Sequence, residues 1–199
     1  MPEKEFAVLM DAKQISHAIS RMAHEILESL EDDAKLAVIG IRSNGDYLAD
    51  RLAKAIRQID GRKVEVGYMD ITLYRDDLMT NPEHPEIKAT EILFPVDHKI
   101  IVLVDDVLFT GRTIRAALNQ IPDYGRPRAV RLAVLVDRGG RELPIRADFV
   151  GKNIPSSATD DVKVSLVERG GSDEVLLRRR DKSSPARAGK TPAGKGKKK

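Results

Sequence analysis

Residues 100–113, IIVLVDDVLFTGRT, decide how the chain reads. The run 100–104 holds only Ile, Val and Leu, which predicts a strand buried on both faces of a parallel sheet. Such strands present ligands at their carboxyl ends. Asp105 and Asp106 stand at that end, where two carboxylates can accept hydrogen bonds from a vicinal diol or hold a divalent cation through water. Thr110, Gly111, Arg112 and Thr113 follow, and residues 114–121 have helical spacing, so the turn's N–H groups converge on an anion at a helix N-terminus. Gly111 lets the backbone come close, and the Thr hydroxyls and Arg112 add donors. An isolated Asp-Asp pair would merely end a strand. Here the strand, the acids, the turn and the helix share one register, and together they predict a sugar and phosphate site.

Working outward, Asp11 and Gln14 have the spacing of a capping box, and Ile15, Ile19, Met22, Ile26, Leu27 and Leu30 then recur at helical intervals. Residues 36–41 predict a short buried strand, 42–45 a turn, and 47–59 a helix with Leu48, Leu52, Ala55 and Ile56 on one face. Further strands are expected at 63–71, 129–136, 148–150 and 162–167. This alternation predicts an α/β fold with a doubly wound, mainly parallel sheet and flanking helices. Between residues 72 and 99 periodicity is lost and Asn81, Pro82, Pro85 and Pro95 gather, a connector long enough to predict a flexible lid. Tyr74 and Arg75, near its start, are placed to fold over a bound anion.

The 199 residues suffice for one such domain, and the absence of Cys excludes disulfides and thiolate chemistry. No apolar run is long enough to span a bilayer and no signal-peptide pattern is present, so a cytoplasmic protein without a membrane partner is expected. Of the 34 Lys and Arg, six lie in residues 183–199, which hold no acid, leaving 28 bases against 31 acids in residues 1–182. A mildly acidic domain, 1–182, is therefore expected to precede a disordered basic tail, 183–199. The tail's charge suits either solubility or electrostatic help in binding RNA.

VDDVLFTGRT resembles the phosphoribosyl pyrophosphate signature of the type I phosphoribosyltransferases, whose fold carries a small hood beside the main sheet. Taken with SRMAHE, DITLYRDDL, LAVLVDRG and RELPIRADFVGKNIP, the chain from Val8 to Val167 resembles the attenuation regulators of pyrimidine operons that double as uracil phosphoribosyltransferases. That resemblance implies transfer of a ribosyl 5-phosphate from phosphoribosyl pyrophosphate to uracil, giving UMP and pyrophosphate with Mg2+. Asp105 and Asp106 would fix the ribose hydroxyls and hold the metal through substrate or water. Val107, Leu108, Phe109, Thr110, Gly111, Arg112 and Thr113 would line the 5-phosphate. Arg75 would clamp the leaving pyrophosphate, with Arg42, Ser43, Asn44 and Gly45 forming its turn. Asn44 stands where the family more often has a basic residue. Phe109 stands where purine-transferring relatives carry an Asp that bonds the purine ring, so a pyrimidine acceptor is implied. Asp137, Arg138, Val162 and Lys163 are the implied base contacts.

The same resemblance implies a basic RNA-binding face built from Ser20, Arg21, His24, Arg141, Arg146 and Lys152, with Gly140 replacing a frequent His. In a domain of net negative charge, RNA binding requires such a local concentration of cations. Each of these residues taken singly is equally an ordinary solvated side chain. The implied partners are uracil, phosphoribosyl pyrophosphate, UMP or UTP, the leader of pyrimidine messenger RNA, and a second copy of the chain in a homodimer or larger ring. Two alternatives accompany this reading: an RNA-binding regulator whose site only senses nucleotide, and a purely metabolic enzyme.

Overall fold

The computed structural model describes residues 6–31, 33–72, 89–157 and 160–179. The expected helices are present, and the expected strands form one parallel sheet except 162–167, where the strand is shorter and lies in a separate antiparallel sheet. Helix α1 (Ala12–Glu28) opens with the capping box, Asp11 accepting from the Gln14 N–H and the Gln14 side chain accepting from the Asp11 N–H. Strand β2 (Leu36–Ile41) leads to α2 (Gly45–Asp60), which starts two residues before the helical spacing becomes visible and ends on left-handed Gly61. Next come β3 (Glu65–Met69), β4 (Ile100–Leu108), α3 (Arg112–Gln120), β5 (Ala129–Asp137) and β6 (Phe149–Asn153).

These five strands form one sheet in the order β3-β2-β4-β5-β6, with every pair parallel. Chain order reverses direction between β2 and β4, and the carboxyl ends of strands at such a switch point open a ligand crevice. Strand β4 is longer than its apolar run predicts. Asp105, Val107 and Leu108 continue to pair with β5 as far as Asp137, so the acids lie within the strand's last turn of pairing rather than after it.

Both faces of the sheet are covered. Ile100, Val102 and Val104 enter one core with α1 and α2, while Ile101 and Leu103 enter the other with Ile114 and Ala117 of α3. This is why the sequence of β4 shows no polar alternation. Beyond the aspartates the alternation resets, with Val107 packing on the first core and Leu108 in the second.

Two strands were not legible beforehand. Strand β1 (Phe6–Met10) and the last strand, β8 (Glu174–Arg178), flank or join β7 (Asp161–Ser165) in a separate antiparallel sheet ordered β1-β8-β7. This small sheet sits beside the switch point. Part of the expected lid is packed: Val96 is fully buried, Ile92 and Phe94 lie against the second core, and Glu91 pairs with Tyr68 at the edge of β3. Residues 73–88, with Tyr74 and Arg75, and the tail 183–199 lie outside the described residues.

One ion-pair cluster ties the small sheet to α2. Arg51 donates to Glu168 at 2.6 and 2.8 Å and to Asp173 at 2.7 and 2.8 Å, while Asp173 also accepts from the Val167 N–H at 3.0 Å. Hydrogen bonds from Arg51 hold both carboxyls below their ordinary range, and the two acids push the guanidinium up. Their stabilisation is therefore complete above the pKa of the unfolded carboxylates and disappears as pH falls through the lower folded values. Arg51→Met should cost about 1–3 kcal/mol in urea unfolding at pH 7. The difference from the parent should shrink below about pH 4, where the acids take up protons even when unfolded; a gap unchanged at pH 3 would contradict the assignment.

Candidate active site

Two turns and the acid pair meet at the carboxyl ends of β2 and β4. The first turn leads from β2 into α2, and its peptide between Arg42 and Ser43 is cis. A Cβ on Gly45 would lie 2.4 Å from the Val104 carbonyl oxygen, and one on Gly40 would lie 2.3 Å from the Gly45 carbonyl oxygen. Only hydrogen fits at either position, so the start of α2 is pressed against the strand end that carries Asp105. Asn44 is the N-cap residue, but its side chain makes no cap bond to the helix. Its Nδ2 instead donates to Asp106 Oδ2 at 2.7 Å and to the Val164 carbonyl of β7 at 3.3 Å. Buried Asp46 in the first turn takes the Tyr47 N–H at 3.0 Å, so an anion there would use the helix's other terminal N–H groups.

The expected residues of this turn do not all face one way. Arg42 is half-buried, donates to Glu91 at 2.9 Å, and has its guanidinium 5.3 Å from the centre of the Tyr68 ring. Tyr68 donates to Asp50 at 2.8 Å, and its phenol is pushed up to about 12, first by burial and then by that bond. It therefore remains a neutral donor at physiological pH. Ser43 is exposed.

Asp105 is buried, and its Oδ1 accepts from the Asp106 N–H at 3.0 Å; Asp106 is half-buried and held by Asn44. Among the described residues no group of three or more His, Cys, Asp or Glu could hold a metal. Asp105 and Asp106 are adjacent carboxylates at the end of β4. That suits Mg2+ held by one or two carboxylates, substrate oxygens and water.

The second turn, 109–111, enters α3 through Gly111 at φ +93°. It is buttressed by the segment that follows β5. The Thr110 carbonyl accepts from the N–H groups of Glu142 and Leu143 at 3.0 and 3.2 Å, and the side chains of Leu143 and Ile145 lie against Gly111. Arg112 donates to Glu142 at 2.8 Å, an exposed pair. Arg141, expected at an RNA face, donates to the carbonyls of Phe109 at 2.9 Å, Ile145 at 2.9 Å and Gly139 at 3.1 Å, and pairs with Asp137. Its observed bonds thus brace the turn 109–111. The bonds that tie this segment to residues 109–112 join distant parts of the chain and leave no mark on sequence periodicity.

At the end of β5, Arg138 is buried, with its guanidinium 4.1 Å from the centre of the Phe109 ring. It donates to Ser156 Oγ at 2.9 Å and to the carbonyls of Ser157 at 2.9 Å and Asp160 at 2.8 Å. Asp137 and Arg138 therefore do lie beside Phe109. Val162 packs on the first core, and Lys163 is exposed on β7.

Ser20, His24 and Arg146 are exposed. Arg21 donates to Glu25 at 2.5 Å and to the carbonyls of Val150 and Gly151 at 2.9 and 2.7 Å, fastening α1 along β6. Lys152 donates to the Leu9 carbonyl at 2.7 Å. Helix α1 and the edge strand β6 thus adjoin, bringing Ser20, Arg21, His24 and Lys152 to one side of the molecule.

A parallel sheet with an acid pair at the end of its central strand, set between two strand-to-helix turns, is the arrangement expected of a phosphoribosyltransferase. The family model described as phosphoribosyl transferase domain matches residues 8–168. Curated relatives named bifunctional protein PyrR include that of Pelotomaculum thermopropionicum, 52% identical over 87% of this chain and 96% of the relative, and that of Thermus thermophilus, 53% identical over 88% and 97%. The fold is also that of the hypoxanthine phosphoribosyltransferase of Trypanosoma cruzi, with a TM-score of 0.64 at 20% identity over 87% of this chain and 97% of that one. The chain belongs to the phosphoribosyltransferase family, and within it to the PyrR proteins.

Gly140 (φ +69°) limits what can be placed here, because a Cβ on it would lie 2.3 Å from Cε2 of Phe109. Gly140→Ala should cost about 1–3 kcal/mol, combining left-handed strain with overlap. It should also move the Phe109 ring off Arg138. Thermal unfolding and a structure of the variant would check both effects.

Proposed function

We propose that this protein transfers the 5-phosphoribosyl group from phosphoribosyl pyrophosphate to N1 of uracil, releasing pyrophosphate and forming UMP. We propose further that UMP or UTP in the same site promotes binding to the leader of pyrimidine messenger RNA. The observation that carries the enzymatic half is the acid pair at the end of β4, set between the turns that enter α2 and α3. The name of the PyrR relatives supports both halves.

As the bond from ribose C1 to pyrophosphate breaks and that to N1 of uracil forms, positive charge develops on the ribose. Groups already fixed in place stabilise such a state without reorganising. Asp105 and Asp106 would accept from the ribose hydroxyls, with Asp106 held at its outer oxygen by Asn44. The N–H groups of residues 110–113 and the hydroxyls of Thr110 and Thr113 would anchor the 5-phosphate. Turn 42–45 would receive the pyrophosphate, with Arg75 closing over it. Mg2+ bound with the substrate would offset the charge of the leaving group, held by substrate oxygens and, directly or through water, by the acid pair. Uracil would lie against Phe109 near Asp137, Arg138, Val162 and Lys163. Phe109 has no group to bond a purine ring, which favours the smaller base.

The expected result is UMP formation from uracil and phosphoribosyl pyrophosphate, undiminished by hypoxanthine or guanine as competing acceptors. No turnover with uracil sinks the enzymatic proposal. Asp106→Asn should lower kcat/KM by about 10- to 100-fold, equivalent to roughly 1.4–2.7 kcal/mol of transition-state stabilisation.

Regulation would use exposed Ser20, His24 and Arg146, joined by Arg21, Lys152 and Arg141. The internal bonds of the last three favour the purely metabolic alternative. Affinity for a pyrimidine leader hairpin should rise with UMP and fall with salt. If removal of residues 183–199 abolishes binding while Arg146→Ala changes nothing, the proposed face is wrong. The exposed Leu93, Phe6 and Val8 support assembly as a homodimer or higher oligomer. Among the described residues, no helix is long and apolar enough to cross a membrane, and we take the protein to act in the cytoplasm.

A further inference from the structure

The pyrophosphate turn contains one cation, and that cation is directed elsewhere. Arg42 donates to Glu91 at 2.9 Å and lies over Tyr68. Asn44 is neutral, and its Nδ2 is bonded to Asp106 and Val164. Gly45 and exposed Ser43 bring no charge. Within the described residues, the turn therefore offers backbone dipoles to a multiply charged leaving group without a side-chain cation of its own.

A cation arrives from another part of the chain. Residues Val167–Arg169 form a 3-10 turn closed by left-handed Gly170, between β7 and β8 of the small sheet. Arg169 Nη1 donates to Asn44 Oδ1 at 3.4 Å, which sets the guanidinium beside the pyrophosphate turn. The side chain is exposed, and among the described residues no carboxylate pairs with it. Glu168, the nearest acid in sequence, is turned away to Arg51, as is Asp173. A bond of 3.4 Å between guanidinium and a neutral amide is marginal. An anionic oxygen makes a shorter and roughly twice stronger partner.

Resting on the phosphoribosyl-transfer reading of this site, we propose that Arg169 is the pyrophosphate-binding cation of this protein, supplied from the small sheet in place of a charge on the turn itself. On binding, the guanidinium gives up Asn44 Oδ1 for an oxygen of the pyrophosphoryl group. The Arg51 cluster acts through Arg169, because it sets the turn from which Arg169 projects and neutralises the acids beside it. Arg51 is thus a positioning residue.

The test uses the full chain with Mg2+ and three separate probes in titration calorimetry: inorganic pyrophosphate, phosphoribosyl pyrophosphate and UMP. Arg169→Ala should weaken binding of the first two by about tenfold and raise KM for phosphoribosyl pyrophosphate similarly, leaving UMP affinity unchanged, since UMP carries no pyrophosphoryl group. Arg169→Lys should recover most of the loss. Asn44→Arg added to Arg169→Ala should also recover binding, because it returns a cation to the turn. Unchanged binding in Arg169→Ala overturns the proposal, as does an equal loss of UMP affinity, which would mean general damage to the small sheet. A parent protein that binds no pyrophosphate overturns it as well. A parent that binds phosphoribosyl pyrophosphate yet makes no UMP from uracil overturns the enzymatic reading alone.

Discussion

The site depends on the contact between the start of α2 and the end of β4. With 2.4 Å between a virtual Cβ on Gly45 and the Val104 carbonyl oxygen, the helix N-terminus and the acid pair are forced into one another's reach. Asn44 can bond Asp106 only because of that approach. A single methyl group at Gly45 would push the turn away from the carboxylates and separate Asn44 from Asp106. The parallel sheet supplies the setting for this contact. Strands β2 and β4 are neighbours in register, and both are buried on two faces, so neither can shift to relieve an added atom.

Parts of the molecule governed by local chemistry were legible from the chain. The apolar runs of β2 and β4, the Asp11 and Gln14 capping box and the Gly111 turn each follow from short-range patterns, and each is present where expected. The small sheet was not legible as a unit. Strand β1 exposes most of its residues, β8 alternates in burial without a matching alternation in its sequence EVLLR, and the two pair across nearly the full length of the chain. Strand β1 does carry a continuous apolar run, FAVLM, but lies mostly exposed at a sheet edge, and β8 has only the short run 175–177.

The site residues divide in the same way. Asp105, Asp106 and residues 109–113 could be placed because strand, turn and helix follow one another in sequence. Arg141 could not. As a side chain in a polar segment it reads as a solvated cation, yet its bonds run to the carbonyls of residues 109, 139 and 145 and to Asp137. Arg51 likewise meets Glu168 and Asp173 more than a hundred residues away. For both residues, partners brought close from elsewhere in the chain decide the role, and that is a property of the assembled fold.

This distribution of arginines bears on how one domain could serve chemistry and regulation together. The connection from β5 to β6 does two things at once. Its first half, with Arg138, Arg141, Leu143 and Ile145, braces Phe109 and the phosphate turn; its second half becomes β6, to which Arg21 fastens the exposed helix α1. A ligand that orders the phosphate turn would necessarily bear on Leu143 and Ile145, and so on the start of the segment leading to Arg146. Coupling between sites requires an element that both can bias. This connection is the element that touches both the proposed nucleotide site and the proposed RNA face, whereas α2 and the Arg51 cluster touch only the former.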